Sequence, residues 1–377
     1  MKKENTSRKK GNNTGKKNNH HKDIEIMEID KPIDGEADYN EEYGESDAED
    51  NDSGKIIHIA FILLVIGLIA AAVIMLVRWN KGKDLVIDED ERESGFNIES
   101  MDYYSRFDPT EDYVDDGELN IVIMGDDFLC QYNDETGIPA LIKEATGGNV
   151  TTLALEGQTI SNIASSYSMD ETRDSFNLLL TLVQLCGGDS GDFSLSEAAL
   201  EYIDDNEKYR TYMEQCKTID LDDVDVLIIM LGQNDYILGR KCYLDQDADE
   251  KDNYDLSNMT VTLSRSLSTV KERFPNLQVI MASPSMMKTT DKNGNLVGAD
   301  TVNNGYAYYG NYISGIAGMS QLNCVTFVDN YLLPDFNPDN YEEYLEPNGL
   351  YPNEKARKMI ADHIVENLYF NRQSDYK

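Results

Sequence analysis

Two short polar stretches contain the side chains that first suggest chemistry. Gly-Asp-Asp follows the apolar run at 119–124, and Gly-Gln-Asn-Asp follows the apolar run at 224–231. Their oxygen-bearing residues are Asp126, Asp127, Asn234 and Asp235. Because carboxylate and amide oxygens bind hard cations such as Ca²⁺ and Mg²⁺, one hypothesis is a divalent-cation site. The simpler interpretation, which we favour, is that Asp126 and Asp235 cap turns and helix starts.

Histidine, the usual general base, is scarce in this chain. His20 and His21 lie near the N-terminus, His58 lies in a long apolar segment, and His363 lies in a helical pattern near the C-terminus. A Ser or Cys nucleophile needs a base within hydrogen-bond reach. Only His363 belongs to the part predicted to fold, and its place inside a helix favours a structural role. The sequence therefore argues against a Ser–His or Cys–His couple.

The composition excludes several classes of protein. The 377 residues include 33 Lys+Arg and 70 Asp+Glu, which gives a formal charge of −37. So negative a chain argues against nucleic acid as a partner. The five cysteines are odd in number and form no Cys-x-x-Cys pair, which excludes a disulfide framework and a cysteine-rich zinc site. The sequence predicts no cofactor.

Charge and hydropathy divide the first part of the chain into three segments. Residues 1–55 are basic and then acidic, and predict a disordered tail. An uncharged apolar segment begins at Ile56 and ends at Val77. As a helix it could cross the ~30 Å hydrocarbon core of a bilayer, so we predict a transmembrane helix over 56–78. Residues 79–118 predict an acidic juxtamembrane spacer.

The orientation of the predicted span rests on the positive charges beside it. The tail contains ten Lys and Arg residues, which favours a cytoplasmic N-terminus. The close flanks favour the opposite, with Lys55 before the span and Arg78, Lys81 and Lys83 after it. Because long folded domains cross largely regardless of charge, we predict a single-pass cell-membrane protein with an extracellular C-terminal domain.

From residue 119 onward, apolar runs alternate with helical patterns. The runs predicted as strands are 119–124, 149–155, 224–231, 276–283 and 323–328. The helical patterns are 137–146, 171–186, 195–217, 256–273, 304–320 and 353–368. This alternation predicts an α/β domain over 119–370, followed by a tail at 371–377, with a doubly wound parallel five-stranded sheet and helices on both faces. Ligand sites in such sheets lie at the carboxyl ends of the strands.

The polar stretches at those strand ends resemble the SGNH/GDSL hydrolase family. The blocks that carry the resemblance are IVIMGDDFL, ALEGQTIS, VLIIMLGQND and PNGLYPNEKARKMIADHI. In the family, these positions read as a strand into Gly-Asp-Ser, a second-strand Gly, a strand into Gly-x-Asn-Asp, and Asp-Gly-x-His-Pro-Asn before the last helix. The resemblance implies a flavodoxin-like SGNH-hydrolase fold, with ester hydrolysis or acetyl transfer on glycans, lipids or small esters.

The resemblance implies specific roles, and three positions depart from the family pattern. Gly157 and Asn234 match the oxyanion-hole residues. Asp127 occupies the position of the nucleophilic Ser, Asn348 that of the Asp, and Tyr351 that of the His. A carboxylate at Asp127 would repel a developing oxyanion, and Tyr351, with a reference pKa near 10, is a poor base at neutral pH.

We therefore predict a surface domain that has lost serine-esterase activity and serves as a binding or assembly module for a glycan or a protein. The alternatives are an active esterase, deacetylase or O-acetyltransferase with a non-standard site, the divalent-cation site, and an envelope scaffold that signals through the tail.

Clustered tyrosines could stack on sugars at a cleft rim, although rings at helical spacing more often pack in a core. These tyrosines are Tyr306, Tyr308, Tyr309 and Tyr312.

Overall fold

Continuous apolar strands form the centre of the domain. The computed structural model describes residues 100–111, 113–114, 116–187, 192–243 and 254–372, all within the compact unit Glu93–Lys377. The strands, in chain order, are β1 Asn120–Gly125, β2 Asn149–Ala154, β3 Val226–Met230, β4 Gln278–Ala282, β5 Lys288–Thr290, β6 Leu296–Gly298 and β7 Thr326–Val328.

The main sheet is parallel throughout and has the strand order β2-β1-β3-β4-β7. This order reverses direction at β1, as in flavodoxin-like doubly wound folds. The predicted five-stranded parallel sheet is therefore confirmed. Its register places Gly125 beside both Ala154 and Met230, so the loops that follow β1, β2 and β3 leave the sheet at one edge.

Helices connect the strands and cover the sheet. They are α1 Asp127–Gln131, α2 Ile138–Thr146, α3 Leu178–Leu185, α4 Ser194–Leu200, α5 Glu207–Cys216, α6 Gln233–Ile237, α7 Met259–Arg273, α8 Tyr309–Leu322, α9 Tyr341–Tyr344, α10 Glu354–Glu366 and α11 Tyr369–Arg372. Single 3₁₀ turns are Thr172–Phe176, Leu221–Asp223, Ala299–Thr301 and Pro338–Asn340.

Each face of the sheet packs against its own layer of helices. Successive strand residues point to opposite faces. Ile121 and Ile123 therefore join the cluster that includes α2 and α10, whereas Val122 and Met124 join the cluster that includes α3, α7 and α8. Burying one such side chain contributes about 1.5–3 kcal/mol relative to leaving it in water. Burial on both faces explains why β1, β3 and β4 are mainly apolar, whereas the edge strand β2 is only partly buried and contains Asn149 and two threonines.

Two predicted helices are divided by local backbone features. The pattern at 171–186 gives the 3₁₀ turn Thr172–Phe176 followed by α3. The pattern at 195–217 gives α4 and α5, because Asp205 adopts a left-handed φ of 53° and the Asn206 amide donates to the Leu200 carbonyl at 2.7 Å. Both features end a helix, and helical periodicity does not report them.

A hairpin between β4 and α8 was not predicted from the sequence. Strands β5 and β6 pair antiparallel around a turn in which Gly294 has a φ of +85°. The Asp291 carboxylate accepts the Asn293 and Asn295 amides, each at 2.8 Å. The Asn-Gly dipeptide at 293–294 is a hairpin signal that could have revealed it.

The described end of the predicted spacer lies against the domain. Tyr103 and Phe327 exchange backbone hydrogen bonds of 3.0 and 2.7 Å, which extends the sheet beyond β7. The Asp102 carboxylate accepts the Asp329 amide at 2.7 Å and lies 3.0 Å from Nε2 of His363. This segment covers the sheet edge, and it gives His363 a structural partner.

The predicted disordered tail, the predicted transmembrane helix and the first part of the spacer lie outside the described residues, as do residues 373–377 of the C-terminal tail. Among the helices within the described ranges, none combines the length and the apolar composition needed to span a bilayer.

Candidate functional site

Two short helices position the central side chains of the site. Helix α1 begins directly after β1, and its N-cap Asp126 accepts the Phe128 amide at 3.3 Å. Helix α6 follows β3, and its N-cap is Gly232, whose φ is +119°. A Cβ at Gly232 would lie 2.6 Å from Cδ1 of Ile316, so this tight turn requires glycine. Since β1 and β3 are neighbours, both helices start at the same edge of the sheet.

Asp127 contacts both residues that the resemblance assigns to the oxyanion hole. Oδ2 of Asp127 accepts the Gly157 backbone N–H at 2.8 Å and the Asn234 side-chain amide at 2.7 Å. The same Asn234 amide donates to the Gln158 carbonyl at 3.1 Å. The structure therefore brings together three of the residues identified from the sequence, and the carboxylate oxygen occupies the donors that would hold an oxyanion.

This arrangement opposes acyl-transfer chemistry. An oxyanion hole accelerates the reaction because its donors are directed at charge that develops only in the transition state. Here the Gly157 and Asn234 donors already bind a protein anion. A second anion at this position would compete for both donors and would be repelled by Asp127 at close range.

The loop before α10 supplies no base. Asn348 is exposed, and its side-chain oxygen accepts the Leu350 amide at 2.9 Å, so Asn348 shapes the turn around Gly349. Tyr351 is half-buried, and its ring stacks on Phe128 with centroids 6.0 Å apart. Burial, together with the negative charge of Asp127, raises the pKa of Tyr351 to about 12, so the hydroxyl keeps its proton at neutral pH.

Asp235 has a structural role in this fold. Its side chain is fully buried. Its carboxylate accepts the Ile160 amide at 2.8 Å, the Ser161 amide at 2.9 Å and the Ser161 hydroxyl at 2.6 Å. Burial raises the pKa of Asp235, and these three donors partly offset that cost. Asp235 therefore fixes the loop after β2 rather than facing a ligand.

Two of the four candidate cation ligands, Asp126 and Asp235, bind groups of the chain itself. Asp126 caps α1, as the simpler interpretation expects, and both oxygens of Asp235 bind the chain itself. In the part of the chain that the structure describes, no group of three or more His, Cys, Asp or Glu residues could hold a metal ion.

The stability of the domain should depend on the ionisation of Asp126. Burial and the neighbouring Asp127 raise the pKa of Asp126 to about 8, whereas an unfolded Asp ionises near pH 4. The folded state therefore retains a proton between about pH 4 and 8, and stability falls as pH rises through this range. We expect Asp126→Asn, whose amide oxygen can still cap α1, to exceed the wild type at pH 8 by more than about 1 kcal/mol.

Urea denaturation of the Asp126→Asn variant and the wild type at pH 5 and pH 8 measures this effect. The difference should be smaller at pH 5 than at pH 8, because the wild type loses stability progressively as pH rises from about 4 to about 8. An equal difference at the two pH values would contradict the assignment.

Within the described residues, no serine pairs with a histidine. Ser161 donates to Asp235, the Ser283 hydroxyl accepts the Tyr331 amide, and the Ser285 hydroxyl donates to the Met286 carbonyl. His363 is the single histidine within the described ranges. It lies beside Asp102, next to the isolated bridge between Tyr103 and Phe327, so the described residues contain no Ser–His couple.

The sequence analysis missed the aromatic cluster that joins α1 to the loop before α10. Phe128, Tyr132 and Tyr351 lie with centroids 5.5 to 6.3 Å apart. The position of Phe128 directly after Asp127 was a usable signal. The clustered tyrosines instead divide by burial: Tyr309 and Tyr312 are fully buried, as core packing predicts.

The comparisons with known proteins found similarity only at the level of structure. No family model and no curated protein matches the chain. A structure described as a GDSL-like lipase from Bacteroides ovatus is 12% identical, with 66% of this chain and 96% of that chain covered and a TM-score of 0.36.

Two further solved structures are similar. One, described as an SGNH hydrolase from Slackia heliotrinireducens, is 10% identical, with 67% of this chain and 99% of that chain covered and a TM-score of 0.36. A carbohydrate esterase family 2 enzyme from Corynascus thermopiles is 14% identical, with 69% of this chain and 67% of that chain covered and a TM-score of 0.36. The solved proteins to which this chain is similar thus include GDSL-like lipases and SGNH hydrolases.

Proposed function

We propose that this domain is a non-catalytic binding module built on an SGNH-hydrolase-like fold. The observation that carries the proposal is the position of Oδ2 of Asp127, which accepts the Gly157 and Asn234 donors at 2.8 and 2.7 Å. In an esterase those donors must be free to receive the oxygen of the substrate carbonyl. Here they hold a permanent carboxylate, and the neighbouring Tyr351 is not a base at neutral pH.

The surface around Asp127 is partly open to solvent. Gly157, Cys130 and Asn348 are exposed around it, and Asp127 is half-exposed. Exposed polar groups beside the half-buried ring of Tyr351 are compatible with binding of a glycan. We propose a glycan at the cell surface as the ligand, with a partner protein as the alternative.

The proposed anchor is the apolar segment from Ile56 to Val77. A span of this length would cross the bilayer once, and the ten Lys and Arg residues of the tail favour a cytoplasmic N-terminus with the domain outside the cell. Protease added to intact cells should then digest the domain and spare the tail. Digestion of the tail alone would show the opposite orientation, with the N-terminus outside the cell.

An esterase assay tests the loss of catalysis. We expect the full-length wild type and Asn234→Ala to hydrolyse p-nitrophenyl acetate no faster than buffer does, because the donors are occupied and no base is present. Wild-type turnover that disappears in Asn234→Ala would overturn the proposal, and would favour the alternative of an active esterase or acetyltransferase with a non-standard site.

A further inference from the structure

Four polar side chains line a small cavity at the carboxyl edge of the main sheet. They are Asp126 after β1, Gln233 after β3, and Ser283 and Ser285 after β4. All four are largely buried, with between 1% and 8% of each residue exposed. Apolar side chains of α1 and α10 complete the lining. The cavity therefore lies among three loops that leave the sheet on the side of the candidate site.

The size of this cavity restricts what it can hold. Its volume is about 20 Å³. A buried water needs about 10–15 Å³ and two to four polar partners, so the cavity has room for one water molecule. Sites for small organic ligands are far larger, at roughly 300–1,000 Å³. Among the described residues that line the cavity, Asp126 supplies the one carboxyl group, whereas Ca²⁺ and Mg²⁺ sites combine many oxygen ligands.

Three groups in the lining have hydrogen-bonding capacity that the described part of the chain leaves unused. Oδ1 of Asp126 accepts one backbone amide at 3.3 Å, and no described residue donates to Oδ2. Nε2 of Gln233 donates to the Leu350 carbonyl at 2.9 Å, and no described residue donates to Oε1. Oγ of Ser283 accepts the Tyr331 amide at 3.1 Å, and no described residue accepts its proton. Buried polar groups are nearly always hydrogen-bonded, either to protein or to an ordered water.

A single water molecule matches these three groups. It can accept a proton from the Ser283 hydroxyl and donate one to Oε1 of Gln233. Burial and the neighbouring Asp127 raise the pKa of Asp126 to about 8. The water accepts from Oδ2 of Asp126 when that carboxyl is protonated, and donates to it when the carboxyl is ionised. Asp126 is therefore satisfied by the water in either state.

We propose that one water molecule is bound in this cavity, hydrogen-bonded to Asp126, Gln233 and Ser283, and that it links the loops after β1, β3 and β4. These three side chains form no hydrogen bond with one another, so the water supplies the connection between them. Asp127 and Asn234 directly follow Asp126 and Gln233 in the chain, so two of the linked loops carry the candidate site. Such a water belongs to the fold and is independent of any ligand bound near Asp127.

A crystal structure of the full-length wild type, at a resolution that shows ordered waters, tests the site directly. We expect one peak of density about 2.7–3.2 Å from Oδ2 of Asp126, Oε1 of Gln233 and Oγ of Ser283. A cavity without density, or a peak that contacts only one of these atoms, would overturn the assignment. So would a peak with several oxygen distances of about 2.3–2.6 Å, because that geometry indicates Ca²⁺.

A double-mutant cycle tests the link in solution. Gln233→Met and Ser283→Ala each remove one partner of the same water, so their effects should not be independent. In urea denaturation of the full-length protein, we expect the double variant to lose less of its midpoint than the sum of the two single losses. Additive losses would contradict the shared water.

Ser266→Ala is the matched control for this cycle. Ser266 is buried on α7, donates to the Thr262 carbonyl at 2.7 Å and does not line the cavity. Its loss should add to that of Gln233→Met, and the same non-additivity in this pair would remove the support that the first cycle gives. The crystal structure of the wild type decides the assignment even if Gln233→Met does not fold, as circular dichroism would show.

Discussion

Restoring three side chains is expected to give this domain esterase activity. The variant Asp127→Ser/Asn348→Asp/Tyr351→His places a hydroxyl beside the Gly157 and Asn234 donors, which remain on the backbone and on α6. Removal of the carboxylate frees both donors for a carbonyl oxygen, and the imidazole supplies the missing base. We expect p-nitrophenyl acetate hydrolysis to rise on the order of 10³-fold above the wild type.

The control for this restored activity is a fourth substitution. Asn234→Ala in the triple variant should lower the rate about 10²-fold, because it removes one oxyanion donor. Asn234→Ala in the wild type should leave the rate of p-nitrophenyl acetate hydrolysis unchanged, because there is no oxyanion to stabilise. If the triple variant folds, as circular dichroism would show, and has no activity, then residues 127, 348 and 351 do not form a degenerate catalytic site.

The largest loss of stability is expected from Asp235→Ala. This substitution leaves three buried donors without an acceptor: the Ile160 amide, the Ser161 amide and the Ser161 hydroxyl. Each unsatisfied buried donor costs about 1–3 kcal/mol, so the free energy of unfolding should fall by about 3 kcal/mol or more. Asp235→Asn should lose less, because its amide oxygen still accepts one or two of these bonds.

Chemical denaturation of the full-length protein measures these changes. Asp222→Ala is a suitable control because Asp222 is exposed, and it should change stability by less than about 0.5 kcal/mol. A loss of less than about 1 kcal/mol in Asp235→Ala would mean that this carboxylate does not hold the loop after β2. In that case the hypothesis of a cation site near Asp235 would regain support.

The departures from the family pattern could be identified without coordinates. That Asp127, Asn348 and Tyr351 cannot form a Ser-His-Asp triad depends only on residue type. The number of histidines is also read directly from the sequence, and His363 is the single candidate for a histidine base in the domain. Neither conclusion required knowledge of any distance.

Other features of the site could not be predicted in this way. The sequence predicted the same role for Asp126 and Asp235, namely capping of turns and helix starts. The structure makes Asp126 a helix cap and makes Asp235 the acceptor for a distant loop. The difference arises because Asp235 meets residues far away in the sequence, whereas a cap is a contact between near neighbours.

The sequence by itself determined the α/β sheet, because strands buried on both faces must be continuously apolar, and local helical periodicity marks the connections between them. It also determined the lack of a histidine base, which is a matter of residue type. Only the tertiary structure decided that the Asp127 carboxylate lies on the Gly157 and Asn234 donors. Those three residues are brought together by the order of the strands and the packing of the helices, and no local pattern encodes the resulting distances.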